Sequence, residues 1–373
     1  MPQNKQPKLV RISEKLQQNM QYVDELMGLE TNFDIIHRVI RLGDTDACMY
    51  LIDGFCKDEL MQKILQYLMD LKAEDFPKDA HEMSKIAIPY VEVDLDDTWE
   101  KILGALLSGV FVLLLDGYEK AVLIDARTYP TRGVEEPDKD KVLRGSKDGF
   151  VETVVFNTAL IRRRIRSTDL HMEMLNAGEN SRTDIVLCYM ESRVDPKLLT
   201  QIRERIRSIQ VDALAMNQES LAECLYQRKW YNPFPKFKYT ERPDTAAAQV
   251  LEGNLVILVD NSPSAMILPT TIFDVVEEAD DYYFPPVTGT YLRLTRFLIA
   301  LLTYFVTPTY LLLMNHRMWI PENLEFIILK EDPNVPLILQ FLLLELAIDG
   351  LRLAAVNTPN MLSTSLSVMA ALV

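Results

Sequence analysis

Two stretches of the chain share one pattern of apolar and polar positions. Residues 107–124 (LSGVFVLLLDGYEKAVLI) lie on residues 251–268 (LEGNLVILVDNSPSAMIL) at a constant offset of 144, without a gap. Leu107, Gly109, Val112, Asp116 and Ala121 thereby meet Leu251, Gly253, Val256, Asp260 and Ala265. Each copy reads as an apolar strand, a turn opened by Asp-Gly or Asp-Asn, and a second apolar strand, which is the chemistry of a hairpin. The runs before the two aspartates are too short to cross a membrane and suit strands buried on both faces. Helix-period segments precede them at 98–107 and 244–251. A weaker match at offset 138 sets Thr45 and Asp46, with the apolar run to Ile52, against Thr183 and Asp184, with the run to Met190. A turn and a helical segment follow each, at 58–71 and 196–209.

This order predicts two tandem related α/β subdomains in an N-terminal soluble region: strand, helix, further elements, helix, hairpin. We divide the chain into a helical lead-in over 1–43, a first subdomain over 44–130, a linker over 131–150 and a second subdomain over 151–290. The linker falls in a run rich in Pro, Gly and charge, RTYPTRGVEEPDKDKVLRGS, from Arg127 to Ser146.

From residue 291 onward the pattern changes. Residues 297–314 (FLIALLTYFVTPTYLLLM) carry no charge over 18 positions, close to the ~20 that a helix needs to span a bilayer. Pro308 would kink such a helix, which membrane helices tolerate. Residues 335–356 form a second apolar segment, an amphipathic or re-entrant helix, and 361–373 the start of a further span. The last residues stop inside an apolar run without a charged stop, so the α-helical membrane domain over 291–373 is expected to be truncated.

Charge sharpens this division. The chain carries a net charge of −15, whereas residues 291–373 hold five basic against six acidic residues. The acidity therefore belongs to the soluble part and excludes nucleic acid bound through bulk electrostatics. The first residues, MPQNKQPKLVRISEKLQQN, have no apolar core with a cleavage site, so the N-terminal region is expected to stay in the cytoplasm. Cys48, Cys56, Cys188 and Cys224 show no metal-ligand or disulfide spacing and suit a reducing compartment.

No reactive constellation is visible. There is no phosphate-binding loop, no His-Glu-x-x-His and no Gly-x-Ser-x-Gly, and His37, His81, His171 and His316 stand apart, as packing or surface residues do. The expectation is a protein that is not an enzyme and that has no catalytic residue, no metal and no cofactor. Asp116 and Asp260 are read as turn openers whose side chains cap the next amide. Arg162, Arg163, Arg164 and Arg166 form the one dense basic cluster, on a helix expected to begin near Asp148. They are candidates for a subdomain or subunit interface, with an anionic-ligand site as the alternative. In the second apolar segment Glu345, Asp349 and Arg352 fall at i, i+4 and i+7, on one helical stripe. Charges at membrane depth must face protein, water or headgroups, so the stripe is a candidate ion path or subunit contact, or else the wet side of an interfacial helix. No residue is assigned to ligand binding.

Around the linker the residues become recognisable. Glu136-Pro-Asp, then Arg144-Gly-Ser-Lys-Asp-Gly-Phe150-Val-Glu152, then the run from Asn157 to Arg166, resembles the signature of the GerA family of spore germination proteins, A-subunit type. Thr240-Glu-Arg-Pro-Asp244, Leu251-Glu-Gly253 and Val259-Asp260 resemble the family's second signature. The resemblance runs from about Asp44 into Asn357-Thr-Pro359. Two departures, Ser146 in place of the usual Pro and Asp260-Asn-Ser-Pro-Ser264 with Leu268-Pro-Thr-Thr271, resemble a branch associated with dipicolinate release. The resemblance implies a multi-pass protein of the inner spore membrane with its N-terminal domain on the core side. It also implies a homo-oligomer working with other inner-membrane germination proteins. Two functions follow as expectations: forming or regulating an ion or dipicolinate channel, or serving as a nutrient receptor whose soluble halves bind a small ligand.

Overall fold

The computed structural model describes residues 11–56, 58–128, 148–226, 232, 234–271, 274, 285–328 and 334–356. It divides into two compact units, residues 1–289 and 290–373.

The first unit carries the same succession of elements twice. The first half contains α1 (Leu16–Met27), β1 (Ile35–Leu42), β2 (Thr45–Ile52), α2 (Asp58–Met69), α3 (Ala80–Ile86), β3 (Val93–Asp96), α4 (Trp99–Leu107), β4 (Phe111–Leu115) and β5 (Ala121–Ile124). The second contains α5 (Val154–Arg164), β6 (Leu170–Ala177), β7 (Thr183–Met190), α6 (Pro196–Arg207), α7 (Gln218–Leu225), β8 (Lys238–Thr240), α8 (Pro243–Glu252), β9 (Leu255–Val259) and β10 (Ala265–Leu268). The offsets read from the sequence are those of the elements, 138 for β2 with β7 and α2 with α6, and 144 for β4 with β9 and β5 with β10.

Each half is one five-stranded sheet, ordered β1-β2-β4-β5-β3 and β6-β7-β9-β10-β8, and every pairing is antiparallel. Helices cover both faces. On one face of the first sheet α1 and α4 bury Val23, Met27, Ile102 and Leu106 against Tyr50, Val112 and Leu114. On the other, α2 and α3 bury Leu68 and Met83 against Met49, Leu113 and Leu115. The second half repeats this, with α5 and α8 on one face and α6 and α7 on the other. Coverage of both faces explains why β4 and β9 are apolar at every position rather than at alternate ones.

The lead-in expected over 1–43 is not a helical preface. It holds α1 and the edge strand β1, which belong to the first half as α5 and β6 belong to the second. No alternation marks β1, because an edge strand is covered on neither face along its whole length: Ile36 and Val39, on opposite faces, are both exposed. The linker over 131–150 and the further span over 361–373 lie almost wholly or wholly outside the described residues.

Two devices recur at equivalent places and fix each half. Neither Lys15 nor Thr153 caps the helix that follows it. The cap comes instead from the distant hairpin turn: Asp116 Oδ1 accepts from the Leu16 amide at 2.9 Å, and Asp260 Oδ1 from the Val154 amide at 3.1 Å. The repeated aspartates are therefore caps, as expected, but of helices about a hundred positions away rather than of the next amide. Beside them Asn19 bridges both backbone groups of Ser13, at 2.8 and 2.6 Å, and Asn157 those of Val151 at the same distances. Gly109 and Gly253, the other matched pair, hold φ of +96° and +99°, where a Cβ would collide with Phe55 or with the Arg193 carbonyl.

The second unit contains α9 (Pro286–Asn315), which begins at its border, two 3-10 turns (Arg317–Trp319 and Glu322–Ile327) and α10 (Leu337–Val356). Tyr310 packs edge-on against Phe341, ring centroids 6.0 Å apart.

The capping arrangement makes a direct prediction. Asp116→Ala and Asp260→Ala are each expected to cost about 1 kcal/mol of stability, and the losses to add, because the two caps lie in separate halves. Thermal denaturation of residues 1–289 measures this; a variant as stable as the parent would show that the cap bond carries nothing.

Candidate functional site

The two halves meet through a small set of polar groups. The α1–β1 turn of the first half lies on the outer edge of β6. Asn32 Oδ1 accepts from the Met172 amide at 2.6 Å, and the Phe33 amide donates to the Met172 carbonyl at 3.2 Å, so both outward backbone groups of that residue are satisfied. Thr31 Oγ1 lies 2.9 Å from His171 Nδ1. Apolar contacts cross in both directions: Phe33 packs on the core beneath α5, and Ala159 of α5 belongs to the core beneath α1.

At the centre stand two charges. The Arg162 side chain is 0% exposed and that of Asp34 is 2% exposed. Arg162 donates through Nε to Asp34 Oδ2 at 2.7 Å and through an Nη to Oδ1 at 3.0 Å, a two-pronged pair. Its other Nη donates to the Leu170 carbonyl at 3.1 Å. The guanidinium thus joins a carboxylate of the first half to a backbone oxygen of the second. The offset of 138 places Asp24 where Arg162 stands, so the repeat is broken at this position.

The arginine cluster divides. Arg162 points into the junction. Arg164 pairs with Asp148 at 3.0 Å and donates to the Leu160 carbonyl at 2.9 Å, inside its own half. Arg163 is half-buried and Arg166 exposed. The helix that carries them begins at Val154, later than the expected start near Asp148, because Asn157 folds back on Val151 and holds the preceding residues extended. Asp34, Asn32 and Thr31 escaped the sequence reading because they lie in a turn without periodicity. Their signal is a run of short polar residues, Thr31-Asn-Phe-Asp34, wedged between an amphipathic helix and an apolar strand.

His171 stacks on Tyr189, ring centroids 5.7 Å apart. Burial holds its imidazole below the ordinary value of 6.5, with Arg162 acting the same way and Glu191, Asp169 and Asp34 opposing. Burial also pushes the thiols of Cys48 and Cys56 up to about 11. They stay protonated at neutral pH and are packing groups, not nucleophiles.

In the second unit, α10 sets Glu345, Asp349 and Arg352 on one stripe of its backbone. Glu345 and Asp349 are exposed. Around them Leu339, Leu342, Leu343 and Leu346 are exposed as well. Among the described residues, α9 is the one helix long and apolar enough to cross a membrane.

Comparison with known proteins gives a consistent picture. Residues 21–373 match the family described as Bacillus/Clostridium GerA spore germination protein. Over 373 residues the chain is 38% identical to stage V sporulation protein AF of Bacillus subtilis strain 168, covering 100% of this chain and 75% of that protein. It is 30% identical over 351 residues to spore germination protein A1 of the same organism, covering 93% of this chain and 72% of that one. The higher identity to the first agrees with the branch signalled by Ser146 and by residues 260–264. The crystal structure of the N-terminal domain of the A subunit of the Bacillus megaterium spore germinant receptor GerK3 superposes with a TM-score of 0.55 at 27% identity, covering 71% of this chain and 98% of that one.

Two outcomes follow from the junction. Arg162→Met leaves the Asp34 carboxylate buried without its partner and is expected to cost about 3–5 kcal/mol, while adding Asp34→Asn recovers part of the loss. Chemical denaturation of residues 1–289 reads both, and a single variant near parental stability would remove the pair from its central role. Separately, the unfolded chain protonates a histidine at about its ordinary value, above the depressed value of folded His171. Stability is therefore expected to fall as pH drops below about 6.5 towards that folded value, and His171→Gln to flatten the fall; an unchanged pH profile in the variant would contradict this.

Proposed function

The chain belongs to the GerA family of spore germination proteins, and from that premise we propose that it is a membrane-embedded, non-catalytic subunit of the germination apparatus. In this reading it forms or regulates an oligomeric channel that releases ions or dipicolinate across the inner spore membrane. Its two-sheet unit sits on the core side, and other germination proteins of that membrane are its partners.

The observation that carries the reading is the surface of α9. Leu298, Ile299, Leu301, Leu302, Tyr304, Phe305 and Val306 are all exposed, spread over more than half of the helix circumference, and the remaining arc carries Ala300, Thr303 and Thr307 with no charge. A helix that buries one stripe against a protein core leaves its other faces charged and polar; one with no charge on any side and apolar residues over most of its surface suits hydrocarbon. Beside it, the stripe of Glu345, Asp349 and Arg352 sits on a helix otherwise rich in Leu and Ile. Charges so placed need water or each other, and a path between subunits supplies both. The residues that resemble the branch associated with dipicolinate release, Ser146 and 260–264, favour release over nutrient sensing.

A second reading, a nutrient receptor A subunit whose halves bind a small ligand, draws support from the likeness of the two-sheet unit to the N-terminal domain of a germinant receptor A subunit.

The test is ion conductance of the chain, alone and with its membrane partners, in liposomes. Conductance is expected to fall severalfold with Glu345→Ala or Asp349→Ala at normal insertion. Flux unchanged in both variants removes the stripe from the path. A silent membrane, together with a melting temperature raised by an amino acid or sugar, transfers the function to the receptor reading.

A further inference from the structure

The charge-free part of the α9 region runs over residues 297–316, between Arg296 and Arg317. At the helical rise this length is about 30 Å, the thickness of a bilayer's hydrocarbon. With Arg296 at one boundary, the chain reaches the opposite boundary at Arg317. There the helix gives way to the two 3-10 turns, Arg317–Trp319 and Glu322–Ile327. On them Met318 is 96%, Phe326 80% and Trp319 62% exposed. The His316 ring stacks on the Trp319 indole at 4.7 Å and holds it beside the helix end.

Two requirements pull this segment in opposite directions. Its large apolar side chains are unfavourable in water. Its backbone forms short 3-10 turns, with bonds such as Trp319 amide to His316 carbonyl and Ile328 amide to Glu325 carbonyl, and hydrocarbon accepts a long helix far better than such frequent turn ends. The headgroup layer alone meets both needs, wet for the backbone and apolar a few ångströms deeper for the side chains.

We propose that residues 317–326 are an interfacial anchor: Met318, Trp319 and Phe326 seat at the headgroup–acyl boundary of the leaflet opposite the one where the charge-free run begins. The proposal rests on the membrane reading of α9. Arg317 is outnumbered by Glu322 and Glu325, so the anchor recognises the polar–apolar boundary of a bilayer and not an anionic headgroup. It fixes the depth of the α9–α10 connection, and with it the depth of the charged stripe that follows on α10.

The test uses the chain reconstituted in phosphatidylcholine liposomes. Subtracting the fluorescence of Trp319→Phe from that of the parent isolates the Trp319 signal. That signal is expected to be lost when lipids brominated near the headgroup end of the acyl chain are included, and largely kept when the bromines lie near the methyl end. A Phe305→Trp variant, in the middle of α9, is the reference and should show the reverse. A Trp319 signal untouched by either lipid, with the reference quenched by deep bromines, overturns the anchor and leaves the span standing, the surface then being covered by protein. Quenching of Trp319 by deep bromines alone overturns it in favour of a segment re-entering the hydrocarbon. A reference quenched by neither lipid removes the membrane reading and the anchor with it.

Discussion

Two opposite charges taken out of water together, Arg162 and Asp34, set the terms on which the halves of the first unit meet. A buried ion separated from its partner is strongly destabilising, so this pair ties the α1–β1 turn to α5. The neighbouring contacts are consistent with that tie. Asn32 and Phe33 close both backbone groups of Met172, and Thr31 meets His171, only if the α1–β1 turn lies where Asp34 holds it. Replacing the pair by apolar groups would keep the burial, but would lose the directional bonds that choose this register over its neighbours.

The internal repeat makes the choice of residue at position 162 informative. The halves share their sheet order, their helix layers, their distant caps and their asparagine bridges. They differ where they touch. The position equivalent to Arg162 is Asp24, and the position that follows the same turn as Asp34 is Asp169. Both equivalents being acidic, the charge pair of the junction is not repeated between them.

The second unit displays its apolar side chains differently. In the two-sheet unit, apolar side chains are gathered between sheets and helices, and the acidic surplus faces water. Among the described residues of the second unit many large apolar side chains stand exposed along the helices, while charge is absent from residues 297–316 and falls on α10 only at 345, 349 and 352. The same hydrophobic effect acts in both places; in the first unit the protein supplies the apolar surroundings, and in the proposed reading the bilayer supplies them to the second.

The sequence by itself determined the repeat, because a strand covered on both faces must be apolar throughout and a hairpin needs its turn residues, and both constraints act within a few positions. It also determined the family, through the signatures around residues 136–166 and 240–260, and the exposed apolar run of α9, which is a property of composition along a line. Only the tertiary structure decided that residues 16–42 belong to the first half, since the edge strand β1 is covered on each face only in part and shows no period. It alone revealed that Asp116 and Asp260 cap helices far along the chain, and that of four adjacent arginines Arg162 enters the junction. Which charge is buried depends on what the fold brings to meet it, and Asp34 lies 128 positions away, beyond the reach of any local pattern.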